Sequence, residues 1–168
     1  MVQQLIEKGK HDEAIAAINK MFADNPNNAH VVSVASKIAE LYQVKSRDFE
    51  KQGLAKQSQD SLANAAAIWE MIINKASSSS NKEEVYDLLG NYYYQKGNYS
   101  KSVQCYEKAS EDNWNAQFML GRNYEAMKQA NQMPAAQADG KIRQTYQQLL
   151  AKYPDCQAAK HARKWLGL

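Results

Sequence analysis

The stretch Leu88–Ala109 reads LLGNYYYQKGNYSKSVQCYEKA. Leu89-Gly90 is followed by Tyr93, then by Gly97-Asn98, then by Tyr99, Ser102, Tyr106 and Ala109. Apolar and small residues three and four apart predict helix, and a Gly-Asn pair between two such patterns predicts a turn. The spacing therefore predicts an antiparallel helical hairpin, with Glu83–Lys96 as its first helix and Tyr99–Ser110 as its second. The run of tyrosines raises a second question, which is whether the rings are core or contacts for a partner.

The pattern recurs. Gly9, Ala14, Ile18, Met21 and Pro26 have the mutual spacing of Gly97, Ser102, Tyr106, Ala109 and Trp114. Leu120, Gly121 and Tyr124 repeat Leu89, Gly90 and Tyr93, and Ile142, Tyr146, Leu149 and Pro154 repeat Ala14, Ile18, Met21 and Pro26. With Tyr86, Leu89, Gly90 and Tyr93 in the places of W-x2-L-G-x2-Y, the chain resembles the tetratricopeptide repeat family, whose period is about 34 residues. Leu89 to Leu120 is 31 residues, a compact link that also resembles Sel1-like repeats. The resemblance covers most of the chain. It implies an all-α fold, a right-handed superhelical stack of antiparallel helix hairpins (a tetratricopeptide-like α-solenoid).

A single repeat domain over residues 1–168 is expected, with hairpins at about 1–26, 28–76, 82–111 and 114–153 and a capping helix at 155–166. The second hairpin departs from the pattern. Ala35-Ser36 stand in the Leu-Gly places, and Ala65, Trp69 and Ile72 mark its second helix. Between them VKSRDFEKQGLAKQSQD is polar and helix-permissive, so two helices extended around Gly53 are expected. A smaller insertion, KQANQMPAAQADG, surrounds Pro134 and Gly140. Ser77–Asn81 reads as a solvated linker, with Ser80 or Asn81 as an N-cap and Glu83-Glu84 in the first turn, where the helix dipole favours acids. Met1–Lys8 supplies two turns of a first helix, which favours a fragment of a longer repeat protein. In the last helix Asp155 is expected to cap the start and Gly167 the end. Ala158, Ala162, Trp165 and Leu166 form its apolar stripe, with Lys160, His161, Arg163 and Lys164 on the solvent side.

Composition narrows the classes of function. Apolar residues make up 44% of 168, enough for a real core, and no run approaches the ~20 apolar residues of a membrane span. No signal-peptide pattern is visible. Cys105 and Cys156 lie far apart with no CxxC, which excludes zinc-finger spacing and favours free thiols. The net charge of +3 is too small to argue for nucleic acid. Lys141–Leu168 carries six Lys or Arg and one acid, Asp155, but without an aromatic ladder, so nucleic acid is disfavoured. No phosphate loop, nucleophile elbow or dinucleotide fingerprint is present, and His11, His30 and His161 are scattered. His11 is expected to pack in a turn. The expectation is a protein that is no enzyme and needs no cofactor or metal.

Tyr86, Tyr93, Tyr106, Trp69 and Tyr146 sit at packing positions and are expected to be core, each worth about 1.5–3 kcal/mol when fully buried. In the family the first helix of each hairpin lines a concave groove. Helical phase places Ser33, Lys37 and Glu40 there in the second hairpin, Asp87, Asn91 and Tyr94 in the third, and Phe118, Met119, Arg122 and Glu125 in the fourth. Such a mixture of apolar anchors and polar groups suits a peptide or protein surface. The family's carboxylate clamp is disfavoured, because Asp87 stands where a clamp Lys is needed and Met119 where an Asn is needed. The expected function is a protein–protein interaction scaffold binding a partner segment in the groove through Tyr94, Phe118, Met119, Asn91 and Arg122. The alternative is a structural or self-assembly module stacking through its first repeat. No membrane insertion is expected. The cytoplasm is favoured over the bacterial periplasm, to which a short similarity of YPDCQAAKHARKWLG to repeats of bacterial envelope assembly proteins points.

Overall fold

The computed structural model describes residues 2–25, 28–76, 82–109 and 112–168. Among the described residues the chain forms nine helices and no strand. They are α1 (Val2–Glu7), α2 (His11–Asp24), α3 (Ala29–Lys51), α4 (Ala55–Lys75), α5 (Lys82–Gln95), α6 (Tyr99–Tyr106), α7 (Trp114–Gln129), α8 (Ala135–Lys152) and α9 (Ala159–Leu166). The architecture is all-α and built from repeated helical hairpins. Two compact units are present, Met1–Val85 and Tyr86–Leu168.

One turn chemistry recurs through both units. Just past α1, α3, α5, α7 and α9 stands a residue at positive φ: Gly9, Gly53, Gly97, Asn131 and Gly167. At each, the N–H of that residue returns to the carbonyl three residues back, and the next N–H to the carbonyl five back. At Gly97 these bonds are Gly97 N to Tyr94 O at 3.0 Å and Asn98 N to Tyr93 O at 2.9 Å. This Schellman arrangement satisfies two of the carbonyls a helix end leaves open, and glycine adopts it without a Cβ penalty. Asn131, at φ 54°, is the non-glycine member of the set. Asparagine side chains cap the next helices: Asn28 accepts from His30 N, Asn98 from Lys101 N, and Asn113 from Asn115 N and Ala116 N.

In the first unit α2 packs on α3 and α4. The second-helix register Ala14, Ile18 and then Ala65, Trp69, Ile72 is buried, together with Phe22 and Tyr42, while Met21 is half-buried. The insertion around Gly53 is taken up as extra turns of α3 and α4. The buried Ser46 hydroxyl lies 3.0 Å from that of Ser58 across the pair, where two small side chains let the helices approach. His11 leans on Tyr42, its Nδ1 2.9 Å from the hydroxyl. Burial, and secondarily Asp12, pushes the Tyr42 phenol up to about 12.

In the second unit Ser102, Tyr106 and Ala109 of one hairpin and Ile142, Tyr146 and Leu149 of the next are buried in matching register. The glycine of the Leu-Gly pair is a seat for the aromatic ring. A Cβ on Gly90 would lie 2.8 Å from the Tyr106 ring, and one on Gly121 would lie 2.2 Å from Tyr146 Cε1. The Ser102 hydroxyl donates to the Gly90 carbonyl at 2.8 Å, fixing the same approach.

Several expectations are corrected. Tyr86 and Tyr93 are half-buried rather than core, each lying beneath an ammonium: Lys108 Nζ is 5.5 Å from the Tyr86 ring centre and Lys101 Nζ 4.9 Å from that of Tyr93. These cations need water, which keeps both rings at the surface. The helix α6 stops at Tyr106, with Lys108 N and Ala109 N both returning to Cys105 O as a turn. Asp155 does not cap α9, because residues 154–158 form turns and the helix begins at Ala159 behind Ala158. Gly140 lies inside α8 rather than in the connection. The expected caps Ser80 and Asn81 and the serine linker lie outside the described residues.

Candidate functional site

The residues in phase with the first-helix face behave differently in the two units. In the first unit Ser33, Lys37 and Glu40 are exposed on α3. Lys37 and Glu40 are three residues apart, yet among the described residues neither holds an ion pair. Beside Lys37 a recess of about 430 Å³ is lined by Val2, Gln3, Met21, Val34, Ile38 and Leu41.

In the second unit all seven face residues are half-buried. On α5 the Asn91 carboxamide turns back to donate to the Asp87 carbonyl at 3.1 Å, and Tyr94 meets the Tyr99 ring edge-on at 5.5 Å. Asn115 Nδ2 lies 3.5 Å from Asp87 Oδ1, which links α7 to α5. On α7, Phe118 stacks on Tyr146 at 6.2 Å and meets His161 edge-on at 5.3 Å. Arg122 lies over the Phe118 ring, with Nε 3.1 Å from Glu125 Oε2.

Glu125 is the centre of this arrangement. Its side chain is only 14% exposed, and it is ringed by donors. The Tyr146 hydroxyl donates to it at 3.0 Å and His161 Nε2 lies at 3.1 Å. A carboxylate withdrawn from water is stable when hydrogen-bonded and paired in this way. Burial, and then the Glu125 charge, pushes the Tyr146 phenol far up, so the hydroxyl remains a donor. Met119 offers its carbonyl to the buried Asn123 at 2.7 Å, an i to i−4 bond within α7.

Sequence reasoning does not give these partners. Tyr146 was expected as plain core, and His161 was expected toward solvent. Instead His161 is half-buried and packs against Phe118 and Tyr146, the latter at 5.7 Å. A signal existed: His161 lies three residues after Ala158 and four before Trp165, inside the apolar stripe of α9. Asn123 was missed altogether. In repeat register it occupies the place of Ile38, so its polarity in an apolar position is the clue.

Among the described residues no group of three His, Cys, Asp or Glu is placed to hold a metal ion. Cys105 and Cys156 form no disulfide, as expected. No described helix is long and apolar enough to cross a membrane.

Residues 83–113 match the sequence model of the Tetratricopeptide repeat family, the segment that holds α5, α6 and the Gly90–Tyr106 seat. Comparison with curated proteins finds no match. The hairpins, the repeated turn and the matched segment agree: residues 83–113 carry a tetratricopeptide repeat within a helical-repeat fold, a repeat type whose general role is protein–protein interaction.

Proposed function

We propose that the chain is a non-enzymatic scaffold that binds a peptide or protein surface on its first-helix face. The observation that carries this reading is the side-by-side placement on α5 and α7 of Asp87, Asn91, Tyr94, Phe118, Met119, Arg122 and Glu125, half-exposed and already held by neighbouring side chains. A contact surface fixed before the partner arrives loses less entropy on binding. Aromatic rings and an arginine at such a surface are the usual source of binding energy. Ser33, Lys37 and Glu40 present the corresponding face in the first unit. The test is affinity capture of partners with the wild type and with the Tyr94→Ala, Arg122→Ala pair. Loss of capture at unchanged helicity is expected, and undiminished capture would refute the reading.

The second reading is self-association, and the apolar recess on the first unit favours it. Leu41, which lines the recess, is 37% exposed and Val44, one turn along, is 44% exposed. Sedimentation at two concentrations distinguishes the readings. A mass that rises with concentration and falls back with Leu41→Asp supports self-association, whereas a monomer at both concentrations removes it.

A further inference from the structure

The positive charge of the chain is gathered in its last third. Residues 114–168 carry eight Lys or Arg against three acids, whereas residues 1–113 carry thirteen against fifteen. Half of those eight cations are matched by an acid. Arg122 pairs with Glu125 at 3.1 Å, Lys128 with Asp139 at 2.6 Å and Lys152 with Asp112 at 2.7 Å. Lys141 shares the Tyr124 ring with Glu107, whose carboxylate accepts from the phenol and keeps its charge. Four cations are left, Arg143 on α8 and Lys160, Arg163 and Lys164 on α9. All four are exposed, and among the described residues none holds an ion pair. Asp155, in the turns before α9, is the remaining acid of this stretch, so the four keep a net positive charge.

The helix α9 holds these charges in a fixed arrangement. Lys160, Arg163 and Lys164 are three and four residues apart, so they share one side of the helix. Ala158, Ala159 and Ala162 are buried on the other side, and Trp165 meets Tyr146 edge-on at 5.9 Å. The Arg143 guanidinium lies 6.0 Å from the Trp165 ring centre, which brings it beside the same helix. Arg163 donates to the Pro154 carbonyl at 2.7 Å, a bond that leaves its charge uncancelled. Helix stability does not explain the set. Like charges at this spacing repel one another. Arg163 and Lys164 complement the negative end of the helix dipole, but Lys160 stands in the first turn, where a cation is disfavoured.

We propose that the exposed side of α9 docks a carboxylate-rich segment of a protein partner. Charge complementarity sets the sign, and the chemistry of the surface narrows the class. A membrane surface would require an exposed apolar stripe, and that of α9 is spent against α8. A single-stranded nucleic acid would require open rings for its bases, and Trp165 is half-buried with Arg143 over it. Carboxylates require only the ammonium and guanidinium groups that are present. An exposed ion pair is weak by itself, so the partner must present several acids to this one side. The surface uses none of Asp87, Asn91, Tyr94, Phe118 and Arg122, so either reading can fail without the other.

The test is a titration of the full chain with end-capped hexaglutamate, alongside end-capped hexaglutamine, oligothymidylate and phosphatidylserine vesicles. The readout is the backbone amide signals of residues 160–165 and the Trp165 indole N–H in two-dimensional NMR. Saturable shifts with hexaglutamate are expected, weakening as salt is added, with none for hexaglutamine. The double variant Lys160→Gln, Lys164→Gln should keep the fold, since both side chains are exposed, and should bind roughly three- to thirtyfold more weakly. Removing two exposed lysines of the first unit, Lys51→Gln with Lys56→Gln, should leave the affinity unchanged. No saturable shift, equal binding of both peptides, or equal weakening by the two double variants would overturn the proposal. Tighter binding of oligothymidylate or of the vesicles than of hexaglutamate would also overturn it.

Discussion

The third and fourth hairpins place a tyrosine of the second helix against a glycine of the first, yet the two phenols meet different partners. The Tyr146 hydroxyl donates to Glu125, whereas the Tyr106 hydroxyl is buried without a partner among the described residues. In repeat register the position of Glu125 is occupied by Tyr94 in the third hairpin. Both phenols are pushed up mainly by burial, with Asp87 adding to the effect at Tyr106 and Glu125 at Tyr146. The glycine seat is thus the mechanical element these two hairpins share, while the residue beyond it decides whether the ring is a polar anchor or only a hydrophobic one. In the fourth hairpin that anchor also reaches α9 through His161, so α7, α8 and α9 share one network.

The largest effects should come from filling the seats. Gly121→Ala places a methyl group 2.2 Å from the Tyr146 ring and should cost about 3 kcal/mol or more; Gly90→Ala, at 2.8 Å from Tyr106, should cost less, about 1–3 kcal/mol. Thermal unfolding of the two variants checks the order, and equal losses would break the comparison. Next comes the polar anchor. Tyr146→Phe leaves Glu125 short of a donor and should cost about 1–2 kcal/mol, whereas Tyr106→Phe removes an unbonded hydroxyl and should be neutral or slightly stabilising. Denaturant midpoints of the two phenylalanine variants test this directly.

A pH effect follows with a defined sign. A phenol whose folded pKa lies above its unfolded value, near 10, contributes stability that is full below that value and is lost as pH rises toward the folded one. For Tyr42 the window runs from about 10 to about 12. Stability should therefore be flat through neutral pH and fall above about 10. Phenolate absorbance and circular dichroism recorded together check it, and phenolates forming without loss of stability would contradict it. The smallest effect is Asn131→Gly, which should add about 0.5–1 kcal/mol by relieving the positive φ of the fourth hairpin's turn.

Much of this was legible in the sequence because it is local. The positions of Gly9, Gly53, Gly97 and Gly167 and the Leu-Gly pairs fix hairpin turns and ring seats within a few residues. Asn131 escaped notice because asparagine tolerates the same backbone geometry without advertising it. The early end of α6 also escaped, since Glu107 and Lys108 are good helix formers and a turn from Cys105 overrides them. Helical phase proposes face positions, but it does not give the Glu125 network. Its members are separated by 21 and 36 residues and meet only when α8 and α9 dock on α7. The same is true of Tyr86 and Tyr93, which lie beneath Lys108, in the turn after α6, and Lys101, on α6, contacts that their own phase does not reveal.

The central claim is that partner binding uses the first-helix face of α5 and α7. Hydrogen exchange of the captured complex, compared with the free chain, tests it most directly. The account predicts slowed exchange in peptides covering residues 87–94 and 118–125. Protection confined to other helices would contradict it.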